Sequence, residues 1–211
     1  MDTIFVEPTL LARSVSELFV AAGAEQSAAD LIASHLIEAN LRGHDSHGVS
    51  VIPMYLASLK AGGMVLGQQL RVVSDLGGMM IVDGGRGPGQ VMGHEAMRLG
   101  IERAQESGSA IVGLRNSHHL GRIGHWAEQC AAAGLVSIHF VNVVAGPFVA
   151  PYGGTRARLG TNPFAAGFPR EGEAPVIVDF ATSRLAAGKI RVYRNQGRSL
   201  PDNALLDAKG T

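Results

Sequence analysis

The chain has a single cysteine, Cys130, in 211 residues. An intrachain disulfide is therefore excluded, and so is a cysteine-based metal site. Charge is sparse too: charged residues make up 17%, with 18 Lys and Arg balancing 18 Asp and Glu. A neutral chain gives no electrostatic footprint for nucleic acid or an anionic membrane, and neither is expected as a partner. No apolar run approaches the ~20 residues of a bilayer span. The start, Met1-Asp2-Thr3-Ile4, lacks a basic stretch followed by an apolar one. No secretory leader is expected from it, and a cytoplasmic setting is the default expectation.

What is present is a globular composition, with 46% hydrophobic residues and 28 glycines. The length suits one domain or two small ones. Five of the eight histidines fall in two loops, Gly43-His44-Asp45-Ser46-His47-Gly48-Val49 and Arg115-Asn116-Ser117-His118-His119-Leu120-Gly121-Arg122-Ile123-Gly124-His125-Trp126. Histidine titrates near neutral pH and is the usual carrier of a proton in catalysis. Two dense His/Gly/Ser loops point to an active site.

Periodicity organises the rest. Thr9 is placed to cap a helix with apolar positions Leu11, Val15, Leu18, Phe19 and Ala22, ended by Gly23. Ser27 opens a second helix, with Asp30 three residues on; His35 reads there as a packed or half-exposed helix residue. Pro53 starts a third helix, which Gly62-Gly63 stops. After Leu70 the pattern changes to strands at 71–74 and 79–82 around the turn Asp75-Leu76-Gly77-Gly78. A helix is expected over 91–106, a strand over 110–114, a helix over 124–133 and a strand over 135–141. Strands over 164–168 and 176–180 and a helix over 181–192 complete an α+β pattern. The boundaries are a helical N-terminal domain over 1–70 and a mixed domain over 71–211. The last residues, 206–211, read as the middle of a turn, so a longer protein is expected, with part of the fold missing here.

Single motifs carry alternatives. Asp83-Gly84-Gly85-Arg86-Gly87-Pro88-Gly89 lies between strand and helix, where a dinucleotide fingerprint would sit. Gln90 takes the third glycine's place and Pro88 removes an amide, which favours a plain turn over a phosphate cradle. Around His47, four crowded polar residues favour a functional loop over a simple helix cap by Asp45 or Ser46. At the second loop, amides of the helix start could face a phosphate, with Arg122 adding charge. No metal site is expected, because His118, His119 and His125 lack the spacing that shares one face. Asp179 ends an apolar strand, where it could face a ligand or cap a helix. Cys130 reads as core.

Taken together, Asp45-Ser46-His47-Gly48-Val49, Gly89-Gln90, Asn116-Ser117-His118-His119, Pro151-Tyr152-Gly153-Gly154, Gly160-Thr161-Asn162-Pro163 and Val178-Asp179-Phe180-Ala181-Thr182 resemble the malate/L-lactate dehydrogenase family of type 2. The stretch from Gly121 to Gly134 is most similar to its hydroxycarboxylate dehydrogenase branch. The resemblance implies a helical N-terminal domain, a non-Rossmann mixed α/β nucleotide-binding domain and a homodimer. It implies NAD(P)-dependent interconversion of 2-hydroxy and 2-oxo acids, with NAD or NADP as cofactor. The rivals are an NAD(P)H-dependent cyclic imino acid reductase, which the family also contains, and a non-catalytic truncated fragment.

Residue by residue, the resemblance puts proton transfer on His47 or His119, with His47 preferred because Asp45 and Ser46 could orient its ring. Cofactor contacts fall on His47, Gly121, Arg122, Ile123, Asn142, Val143, Ile177, Val178, Asp179, Phe180 and Ala181. Substrate contacts fall on Ser46, Tyr55, Thr161 and Asn162. One departure stands out. Many members carry, four residues after the Ser-His histidine, an arginine that holds the substrate carboxylate; here that residue is Val51, followed by Ile52, Pro53 and Met54. The missing clamp, and apolar bulk beside it, lead to the expectation of an apolar or aromatic 2-oxo acid over malate. The remaining carboxylate is left to backbone amides or Arg122.

Overall fold

A computed structural model describes residues 5–144 and 146–207. The opening Met1 to Ile4 and the end of the expected closing turn, Ala208 to Thr211, lie outside the described residues. The first layer is helical. α1 (Pro8–Ala21) and α2 (Gln26–Leu41) pack together, and α3 (Ile52–Lys60) closes the layer. Val15, Phe19, Ile32 and Leu36 meet Val51, Tyr55 and Met64 in its core. Of the stripe expected on α1, Val15 and Phe19 are buried and Leu11 is half-buried, whereas Leu18 and Ala22 face outward.

The caps differ from expectation. Glu7, not Thr9, caps α1, accepting from the amides of Thr9 at 3.1 Å and Leu10 at 2.6 Å. Pro8, with its fixed φ, occupies the first turn and shifts the start upstream. α2 begins at Gln26 without a side-chain cap. Asp30 does not reach back toward Ser27, because Ser16 of α1 takes its carboxylate at 2.5 Å.

Two three-stranded sheets follow. In the first, β1 (Arg71–Asp75) and β2 (Met79–Asp83) form the expected hairpin, and β3 (Ile111–Arg115) lies parallel to β2. The crossover is α4 (Gly89–Ser107), whose Ala96 buries Met80 and Val82. In the second, β4 (Ser137–Phe140), β5 (Phe164–Arg170) and β6 (Glu173–Phe180) form an antiparallel sheet with β5 in the middle. α5 (Gly124–Ala132) carries Trp126 and Cys130 into the interior, both buried. α6 (Ala187–Asn195) starts later than periodicity predicts. Ser183 Oγ donates to the Leu185 carbonyl at 2.8 Å and holds the preceding segment out of helix. Among the described residues, no helix is long and apolar enough to cross a membrane.

The glycine run turns from β2 into α4, and it is filled rather than open. Gly84 N–H donates to the Arg115 carbonyl at 2.9 Å, Arg86 N–H to Asn116 at 2.6 Å, and His118 N–H to Gly87 at 2.9 Å. The Asp83 carboxylate accepts from Gly85 N–H, Arg115 Nε and Asn116 Nδ2, closing the turn against the histidine loop. A Cβ on Gly89 would lie 2.1 Å from the His119 carbonyl oxygen. The run is therefore the wall behind His118 and His119.

His35 joins α2 to the same loop. Its Nε2 accepts the Arg122 N–H at 3.1 Å, and its ring lies against His125 at 4.4 Å and Trp126 at 5.1 Å. Burial, then the nearby charges of His125 and Arg122, push His35 down to about 2.

Two outcomes follow. Replacing Gly89 with Ala drives a methyl into a backbone carbonyl, a collision no rotamer relieves; a loss of ~3 kcal/mol is expected, read by urea unfolding. Acid sensitivity is the second. Because the folded pKa of His35 lies below its unfolded value, the stability tied to neutral His35 is complete above pH ~6.5 and is lost as pH falls toward the folded value. The melting temperature should decline below pH 6.5, and His35→Gln, which keeps an acceptor and cannot titrate, should show a shallower decline.

Candidate active site

The two histidine loops meet. The His47 turn is a pair of short 3₁₀ segments, Asp45–His47 and Val49–Val51. Asn40, at the end of α2, latches it: Nδ2 donates to Asp45 Oδ1 at 2.6 Å and Oδ1 accepts from Val49 N–H at 2.9 Å. Asp45 is therefore occupied and does not orient His47. Ser46 does, with Oγ 2.9 Å from His47 Nδ1. Neither Asp45 nor Ser46 caps a helix.

The His47 ring stacks on His119, with centroids 5.5 Å apart and planes 14° from parallel. His119 Nδ1 is 2.8 Å from the Tyr55 hydroxyl, which also receives a hydrogen bond from Gln90 Nε2 at 2.7 Å. Each ring thus spends Nδ1 on a hydroxyl, which leaves Nε2 for chemistry. His118 turns away, with Nε2 2.9 Å from Ser58 Oγ. Burial, then the neighbouring His44 charge, lowers His47 to about 4. Burial, then the charges of His47 and His118, lowers His119 to about 3. Both rings are neutral at pH 7. Burial also raises Tyr55 well above the ordinary phenol range, so it stays protonated.

Several expected contacts are corrected by this packing. Tyr55 is fully buried and Ser46 is 5% exposed, and each spends its hydroxyl on a histidine, so neither presents the open surface expected of a substrate contact. Arg122 does not add a free charge. Its guanidinium is locked to Glu128 at 2.5 Å and to Glu38 at 3.5 Å, and only 4% of its side chain is exposed. The α5 N-terminus is equally committed: Arg122 N–H goes to His35, and Gly124 N–H goes to Asp179 Oδ2 at 2.8 Å. A phosphate therefore finds no free amide at Arg122 or Gly124. Asp179 caps α5 rather than the helix after it. Gly121 and Ile123 are buried as well. Val51 points into the helical core at 1% exposed and Met54 is 42% exposed, so the expected apolar substrate wall is not built from them.

A second group of candidates lies at the ends of β4, β5 and β6. Asn142, Asn162 and Phe180 line an open cavity of about 580 Å³ together with Phe140 and Phe164. Asn162 Oδ1 accepts from Val143 N–H at 2.9 Å, and the Thr161 carbonyl accepts from Thr182 N–H at 3.1 Å. Thr161 and Asn162 therefore sit with the cofactor candidates, and among the described residues no hydrogen bond or ring contact joins them to the histidine pair. The Phe140–Phe164–Phe180 row, with centroids 5.4 and 5.5 Å apart, beside the Asn142 amide offers flat apolar surface and a polar edge. That donor set fits a nicotinamide ring. Ile177 and Val178 precede Phe180 on β6, with Val178 on its exposed face and Ala181 half-buried beyond the strand.

Asn40, Ser58 and Gln90 also hold the two loops, and none is assigned a role from sequence, although Gln90 stands in the Gly89-Gln90 motif. Gln90 offered a signal, a polar residue in the first turn of a helix that follows a glycine run. Sequence reading also missed that Glu38, His125 and Glu128 place donor atoms within 4.8 Å of one another. Both carboxylates already pair with Arg122 and Arg42, so this group is an ion-pair network pinning α5 to α2.

Residues 6–211 match the family described as malate/L-lactate dehydrogenase. Hydroxycarboxylate dehydrogenase B of Escherichia coli is 50% identical over 196 residues, covering 93% of this chain and 54% of that protein. L-lactate dehydrogenase of Cupriavidus necator is 43% identical over 185 residues, covering 86% and 53%. A solved Escherichia coli structure named as a malate/lactate dehydrogenase superimposes with a TM-score of 0.96 at 47% identity, over 99% of this chain and 58% of that one. The chain spans about half the length of the curated relatives it matches. It belongs to the malate/L-lactate dehydrogenase family.

Proposed function

We propose that this chain carries the proton-transfer side of an NAD(P)-dependent dehydrogenase that interconverts 2-hydroxy and 2-oxo acids. The observation that supports this most is the stacked His47–His119 pair, each ring held at Nδ1 by a hydroxyl. For oxidation, neutral His119 donates Nδ1–H to Tyr55 and presents Nε2 as the base for the substrate C2 hydroxyl proton. For reduction, the protonated ring returns that proton from Nε2 to the C2 oxygen. The Tyr55 hydroxyl serves both states: it accepts from Nδ1 while Gln90 Nε2 holds it from the other side. We place proton transfer on His119 rather than His47, because its partner is anchored by a second residue in the helical core. His47 packs alongside, and stacked rings disfavour double protonation, so at most one of the two carries the proton at a time.

A nicotinamide cofactor, when bound, exchanges the hydride with the substrate C2 carbon. Asn142, Val143, Ile177, Val178, Phe180 and Ala181 would hold it, with Gly121, Ile123 and Asp179 behind them. The helical residues 1–70 and the mixed residues 71–211 then supply the two walls of the site. A cytoplasmic homodimer is part of the same reading.

Two measurements test it. His119→Asn should cut kcat by roughly two orders of magnitude or more, in the range for loss of an acid/base group, with NADH affinity within a few-fold of the parent. His47→Asn should cost less; equal turnover in both variants and the parent would remove the assignment. The pH profile is the second. The lowered values of His119 and His47 keep the base unprotonated, so kcat/KM for hydroxy acid oxidation should stay flat down through pH 6.5. Initial rates should fall only nearer pH 4, as the ring takes up a proton. A midpoint near 6.5 would mean that an ordinary exposed histidine does the work.

A further inference from the structure

The site as described lacks a cation for the substrate carboxylate. The position four residues after His47 is Val51, buried in the helical core. Arg122 is consumed by Glu128 and Glu38. We propose that Arg191, reaching in from α6, is the residue that binds the carboxylate of the 2-oxo or 2-hydroxy acid at this site. The inference rests on the reading of the site given above.

Three observations carry it. The first is position. Arg191 Nη2 lies 3.4 Å from the Ser46 carbonyl and 3.4 Å from Ser50 Oγ, so the guanidinium flanks the turn that presents His47. The second is the lack of an anion. Some arginines, Arg122 among them, meet a carboxylate within 3 Å, whereas others such as Arg86 and Arg198 bond only to neutral oxygens. Among the described residues Arg191 meets no carboxylate; its two contacts are long and neutral, and its Nε is buried without any partner. A guanidinium carries five N–H donors in a fixed fork that matches a carboxylate, and leaving buried donors unpaired is costly. A bound carboxylate would satisfy them.

The third is that α6 is seated to hold it there. A Cβ on Gly188 would lie 2.7 Å from Ser46 Cβ and 3.1 Å from its carbonyl oxygen, so the first turn of α6 rests directly on the His47 turn. Arg191 follows three residues later, one helical turn on and on the same face. Its charge reaches both rings: after burial and neighbouring histidines, it contributes to the lowered state of His47 and of His119. Carboxylate and proton carrier would then be served from the two elements that meet at the His47 turn.

The test removes the charge and reads the carboxylate separately from the chemistry. The probes are oxamate, an isostere of pyruvate, measured by calorimetry in the presence of NADH, and the substrate pair pyruvate and methyl pyruvate. Arg191→Gln should weaken oxamate by about 30-fold or more, the range for losing one partner of a desolvated charge pair. The preference for pyruvate over its uncharged ester should collapse by a similar factor, chiefly through KM. Arg191→Lys should retain part of both, and guanidinium ion should partly restore Arg191→Ala. Melting curves and NADH affinity should match the parent, since α6 contributes no buried residue. If Arg191→Gln binds oxamate as the parent does and still prefers pyruvate over the ester, the proposal is wrong, whatever the fate of His119. If it loses oxamate while His119→Asn keeps full turnover, the carboxylate site stands and the proton-transfer assignment falls.

Discussion

The buried hydroxyl of Tyr55 is the constraint around which the site is arranged. Tyr55 belongs to the core of the helical layer and is fully enclosed there. A phenol in that position must find hydrogen-bond partners or lose ~1–3 kcal/mol. The partners come from far along the chain: Gln90 from the first turn of α4 and His119 from the loop after β3. One oxygen thereby ties the helical layer to the mixed sheet. The same bond fixes the orientation of the His119 ring. Stability and function are coupled here, since loosening the layer would also release the ring.

His119 can meet Tyr55 only because the backbone behind it comes unusually close. Gly89 allows the α4 terminus to touch the His119 carbonyl, and three main-chain hydrogen bonds lace the glycine run to residues 115–118. In a dinucleotide-binding turn such glycines open room for a pyrophosphate. In this chain the room is filled by protein. The same local grammar of strand, glycines and helix thus serves a different purpose, and the difference lies in what packs against the loop.

Much of the architecture was legible in the sequence. Apolar spacing located the helices of the first layer, the β1–β2 hairpin and the strands at 164–168 and 176–180, because burial of one face is what spacing encodes. The His47 and His119 loops stood out through composition. What was not legible depended on contacts between distant segments. Asp30 looks like a capping residue until Ser16 of the neighbouring helix takes its carboxylate. Arg122 looks like a free cation until α2 brings Glu38 and the next turn of α5 brings Glu128. Val51 looks like a cleft residue until α3 packs and turns it inward. In each case the residue type was read correctly and its partner was not.

The same reasoning bears on the carboxylate. A bidentate contact is a condition on space: a guanidinium must stand at a set distance from a set point, and any element able to place it there suffices. Sequence position is a proxy for that condition and holds only while the same element does the placing. In this chain the turn after His47 gives its side chain at 51 to the helical core, where it packs with Tyr55. α6 lies across that turn at Gly188 and carries an arginine one helical turn further on. The cost of leaving a guanidinium without an anion is tolerable if the anion arrives with the substrate. Charge placed in this way acts only on a bound acid, and it also disfavours protonation of the two rings until that acid neutralises it. Carboxylate binding and readiness for proton transfer would then be linked through a single side chain that no motif marks.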